Sequence, residues 1–205
     1  MKKIITSIAL FIFAISSAQQ FEEGMGRAFQ MWKEGKSSEA SDMFERIATA
    51  EKKSWLPNYY VALTNTTTAF TTKEKEKIDA LLAKAQAALD IEILKDSNNP
   101  ELIIMQAMIN SAWIVYDPMV YGMKLSGKNM ELYAKAEALA PKNPRVVFSK
   151  VEFQIGGAKF TGIDTKPLCA QIEKSILLFS TYKTDLPFAP SWGLDRAVEA
   201  LKNCK

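Results

Sequence analysis

The sequence predicts an all-α chain built from stacked helical hairpins. Three observations carry that expectation. Apolar residues recur at helical spacing along most of the chain, as in Phe21, Met25, Ala28, Phe29 and Trp32. Gly35, Ala40, Phe44 and Ile47 form a small, small, large, apolar pattern, and Ala62 recurs 34 residues after Ala28. No segment alternates with period two for long enough to make a strand. A hairpin of that length cannot bury its apolar face alone, so it stacks on its neighbours.

The elements follow in order. Gly35 ends the first helix, and Ser37 or Ser38 caps a second one with Met43, Phe44 and Ile47 on one face. Pro57 stands where a third begins, and Tyr60, Leu63 and Phe70 continue its pattern. Thr71 with Glu74 reads as a capping box for a long helix through Ile78, Leu82, Ala85 and Leu89. Asp96-Ser97-Asn98-Asn99-Pro100 stops that helix and starts another, apolar to about Tyr116. Asp117-Pro118 breaks the chain again. Met119 to Gly127 fits a short helix or a loop, and Asn129 to Ala140 is a helix ended by Pro141. Pro144 opens a helix through Val147, Val151 and Ile155, which Gly156-Gly157 is expected to stop. Pro167 starts the next, and Pro187 and Pro190 keep the following connection extended. A last helix runs from about Ser191 to Cys204, which gives about nine helices and no sheet.

The N-terminus reads as a secretory signal peptide. Lys2 and Lys3 precede an apolar run from Ile4 to Ile15, and Ser16-Ser17-Ala18 supplies small residues before a cut. The run is shorter than the ~20 residues that span a bilayer. The expected organisation is therefore residues 1–18 as signal peptide and 19–205 as one domain, exported to the periplasm or beyond the cell. No transmembrane segment is expected after signal removal. Without Lys2 and Lys3 the chain carries 24 basic and 23 acidic side chains, and no basic stripe suits nucleic acid.

The chain has no histidine, which removes the commonest general base near neutral pH and the commonest zinc ligand. Gly157 and Gly162 have phosphate-loop spacing, but Ile163-Asp164 follows where Lys and Ser or Thr are needed. No nucleophile–base pair, metal set or cofactor loop is legible, so catalytic, cofactor-binding and metal residues are all read as none. Glu22 with Glu23, and the alternating Lys73 to Lys77, read as solvated faces.

Gly35, Ala40, Phe44 and Ile47, with Ala28 before them, resemble the tetratricopeptide repeat. Tyr133, Ala136 and Pro141 are similar to the end of a later repeat, as is the run from Ala134 to Pro141. Gly156-Gly157 with Pro190-Ser191-Trp192-Gly193 looks like small exported repeat proteins of Bacteroidota. The resemblance implies a solenoid of about four hairpins plus a C-terminal capping helix. Some members grip a partner's terminal carboxylate with Lys and Asn; Met25, Phe29 and Tyr60 stand at the matching places here, so a groove would take something apolar or aromatic.

The candidate binding residues are Phe29 and Tyr59 in the groove, and Trp113, Tyr116, Met119, Tyr121 and Met123 around the break at Pro118. Aromatics at repeat positions also fill space between helices, so a core role stands beside the binding one. Met adapts to irregular binding surfaces, which makes the second group the more unusual composition. The function expected is a non-catalytic scaffold or adaptor of the bacterial cell envelope that binds an unidentified envelope protein or peptide. The alternative is a carrier of a small ligand or glycan in an aromatic-lined groove. Cys169 begins the penultimate helix and Cys204 ends the last one. If these helices pack antiparallel, a disulfide joins the two, as an oxidising compartment allows.

Overall fold

The computed structural model describes residues 19–204. The expected signal peptide, residues 1–18, lies outside the described residues. Nine helices are present among the described residues: α1 (19–33), α2 (Ser37–Ala50), α3 (Leu56–Thr71), α4 (Lys75–Ile93), α5 (Pro100–Tyr116), α6 (Pro118–Leu139), α7 (Pro144–Thr161), α8 (Lys166–Thr181) and α9 (Leu194–Lys202). No strand occurs among them. From α2 onward, each helix packs on the next, and α5 also packs on α3 and α7.

Local chemistry sets the boundaries. Gly35 adopts φ 79° after α1, a left-handed conformation that costs glycine little. Asn99, Asp117 and Asn143 each precede a proline and each accept a hydrogen bond from a backbone N–H of the first turn they cap. The cap satisfies a free donor while the proline presets the helical φ. Two expected caps differ. Lys36 and Glu74 occupy the N-cap positions of α2 and α4, and neither makes a side-chain cap bond.

Two boundaries also correct the sequence reading. Met119 to Gly127 is neither a separate short helix nor a loop, because α6 runs unbroken from Pro118 to Leu139. Gly156-Gly157 does not stop α7, which continues to Thr161 and ends on Gly162 at φ 69°. The last helix is shorter than expected, starting only after Gly193.

The core runs in three blocks. The first joins α1 to α5 around Met25, Phe44, Tyr59, Leu82 and Met105. The second joins α5, α6 and α7 through Ile104, Tyr133 and Val146, and the third joins α7, α8 and α9 through Phe148, Ile172 and Ala197. Buried Arg145 of α7 holds Glu101 of α5, with Nη2 2.7 Å from Oε1 and Nε 3.0 Å from Oε2. Asn143 donates to the same carboxylate at 2.6 Å. Losing either charge would strand the other in the interior, so this contact fixes the register of α7 on α5.

Cys169 and Cys204 form a disulfide with Cα atoms 5.8 Å apart. It ties the end of α9 to the start of α8, as the antiparallel packing required.

The connection between α8 and α9 returns to the N-terminal helices. Phe188 stacks on Phe29 at 5.9 Å, and its carbonyl accepts from the Tyr60 hydroxyl at 2.8 Å. Trp192 Nε1 donates to the Tyr59 hydroxyl at 2.7 Å. Phe188 sits at φ 60°, an uncommon conformation for a bulky residue, held by these contacts.

Candidate functional site

A cleft of about 590 Å³ opens between α5, α6 and α7, a size typical of small-molecule sites. On α7, Ser149, Glu152, Phe153, Gly156, Gly157 and Phe160 line it. Their spacing of three and four residues places them on one helical face. Met108, Ser111, Ile114 and Val115 come from α5, and Pro118, Met119, Gly122, Met123, Ser126 and Tyr133 from α6. Phe70 of α3, Thr161 of α7 and Arg196 of α9 complete the wall.

Three lining glycines explain the space. Gly122, Gly156 and Gly157 lie inside helices, where glycine costs roughly 0.5–1 kcal/mol against alanine. A Cβ added at any of them would meet no atom within 4 Å. Close helix packing therefore does not demand these glycines; they leave room.

The rim is apolar and open. Met119 is 90% exposed and Met123 96%, with Val115 and Phe160 also exposed. Exposed apolar clusters of this kind are common where a protein meets another molecule.

The polar groups are few. Tyr133 is buried, which pushes its phenol up, while a hydrogen bond with Ser111 works in the opposite direction. Ser149 is 6% exposed, and its hydroxyl oxygen has no hydrogen-bond partner among the described residues. An unpaired buried hydroxyl of this kind costs about 1–3 kcal/mol. Arg196 reaches in from α9, its Nε donating to Glu152 Oε1 at 3.2 Å and its Nη2 to Oε2 at 2.5 Å.

Of the seven residues singled out from sequence, Met119 and Met123 line the cleft. Trp113 and Tyr116 pack on the N-terminal core, and Tyr121 lies 5.1 Å from the Trp113 ring. Phe29 sits between Phe44, Tyr60 and Phe188, and Tyr59 is fully buried. Burial pushes the Tyr59 phenol up. The α7 stripe and the α6 glycine were not singled out. Their signal was present, since the stripe repeats at helical spacing, but it becomes visible only if α7 runs through Gly156-Gly157.

The fold has a solved counterpart. A HusA haemophore from Porphyromonas gingivalis matches with a TM-score of 0.78 and 23% identity, over 90% of this chain and 92% of that one. At that identity the likeness shows the fold alone. No family model matches the chain, and no curated protein matches it. Among the described residues no helix is long and apolar enough to cross a membrane.

Proposed function

We propose that this protein is an exported, non-catalytic carrier that holds a flat, largely apolar ligand such as haem in the α5–α6–α7 cleft. The observation that carries this reading is the cleft itself, an apolar slot whose walls are cleared by three helix-interior glycines. The fold shared with a haemophore supports the same class of cargo. The disulfide fits an oxidising compartment, in line with the signal peptide expected at residues 1–18. The packing of each helix on the next from α2 onward is compatible with a tetratricopeptide-like ancestry. With no histidine in the chain, retention would rest on apolar contact and not on an imidazole bound to iron.

Two rival readings have less support. A scaffold that takes a partner peptide in the N-terminal aromatic groove would first have to displace Phe188 and Trp192. A glycan would leave most of its hydroxyls unpaired against a wall that is mainly apolar.

The test is a haem titration of the mature chain followed by visible absorption. Saturable one-to-one binding is expected. Met119→Glu with Met123→Glu changes only exposed side chains, so it should preserve the fold while weakening haem at least tenfold. Absence of saturable binding, or binding indifferent to the double variant, would overturn the assignment to this cleft.

A further inference from the structure

We infer that the cleft selects an acidic cargo: an apolar body carrying a carboxylate that docks on Arg196, with the Ser149 hydroxyl as a second polar contact. This rests on the carrier reading and adds the chemical class of the ligand and the residues that choose it.

Among the described residues the lining holds one acid, Glu152, and one base, Arg196, and they are not equivalent. Both oxygens of Glu152 are taken, Oε1 by Nε of Arg196 and Oε2 by Nη2. A guanidinium has five N–H donors, and Nη1 is engaged by no other described group. An arriving cation would have to share the Glu152 oxygens with Arg196, whose positive charge repels it. An arriving carboxylate would find a guanidinium with donors to spare. The remaining polar side chains of the described wall are hydroxyls; those of Ser111 and Thr161 already donate to the Ala107 and Gly157 carbonyls, whereas that of Ser149 has no partner.

Two further observations point to a ligand. Ser149 lies one turn before Glu152 on the cleft face of α7, buried and unpartnered. Arg196 also lies over the Phe148 ring, 6.0 Å from its centre, which helps hold the guanidinium in place. The Arg196–Glu152 pair is about half exposed, at 47% and 35% of the side chains. Exposed pairs of this kind bind each other weakly, so a ligand acid can share or replace Glu152 without opening the fold.

The experiment compares protoporphyrin IX with its dimethyl ester, which keeps the ring and removes both charges. Affinity is read from quenching of protein fluorescence. The acid should bind about tenfold more tightly than the ester, since a hydrogen bond to a charged group is worth more than one to a neutral group. Arg196→Gln should erase most of that difference, read as the ratio of acid to ester affinity measured in the same variant. Glu152→Gln, which frees the guanidinium, should tighten the acid alone. A melting curve on each variant separates loss of the fold from loss of recognition. Equal binding of acid and ester, with the cleft variants at Met119 and Met123 still weakening both, would overturn this inference and leave the carrier reading standing. Failure of both porphyrins to bind would overturn the two together.

Discussion

The N-terminal helices and the α5–α7 region handle apolar surface in opposite ways. Between α1 and α3, Phe29, Phe44, Tyr59 and Tyr60 meet ring to ring, and Phe188 and Trp192 close over them from the far end of the chain. Between α5 and α7, three glycines leave the walls bare and Met119 and Met123 stand in solvent. A groove rich in aromatics looks like a binding site in sequence, yet here the protein fills it with its own residues. The open site is built where side chains are missing. Aromatic content here goes with packing, while the unfilled space between helices is what the proposed carrier role would use.

The sharpest way to break this comparison is to remove a ring from the filled side. Tyr59 is fully buried, and its hydroxyl accepts the Trp192 indole N–H. Tyr59→Ala should cost about 3–5 kcal/mol, as deletions of buried aromatics do. Urea denaturation of the mature chain measures it. A loss under about 1 kcal/mol, far below that range, would mean the N-terminal groove is loosely filled and open to a ligand after all.

Much of the fold was legible because punctuation is local. Asn99-Pro100, Asp117-Pro118 and Asn143-Pro144 start helices through bonds made within their own first turns. Gly156-Gly157 misled because glycine carries two meanings. It lowers helix propensity, which reads as a stop, and it removes a side chain, which makes room. Which meaning applies is decided by the helices opposite, and those are far away in sequence. Filling of the N-terminal groove was hidden for the same reason: Tyr60 meets Phe188 across 128 residues, and Tyr59 meets Trp192 across 133. Local periodicity cannot register such contacts. Met119 and Met123 were legible as part of an unusual patch, whereas the Ser149–Phe160 stripe was obscured once α7 was cut short.

The disulfide gives the next effect in size. It closes a loop with a sequence separation of 35 and secures α9, which delivers Arg196 to the cleft. The chain-entropy relation gives about 3.8 kcal/mol for such a loop. Cys169→Ala with Cys204→Ala should lower stability by that order in urea. An unchanged midpoint would mean that packing of Ala197 against α7 and α8 suffices to hold the C-terminus.

The smallest expected effect is the most telling, because its two readouts move in opposite directions. Gly156→Ala and Gly122→Ala each replace a glycine inside a helix, and each new Cβ meets open space. The unliganded protein should therefore gain roughly 0.5–1 kcal/mol per substitution, the helix preference of alanine over glycine. Ligand binding should weaken, since each methyl enters the slot, and leucine at either position should weaken it further. If the glycines were mere relics of a helix end, stability would rise and binding would not move. If they served close helix packing, stability would fall, which the empty surroundings of each Cβ argue against. A gain in melting temperature with a loss of haem affinity is the outcome that only a ligand slot predicts. It would show that the chain gives up helix stability at these positions in order to keep the cleft clear.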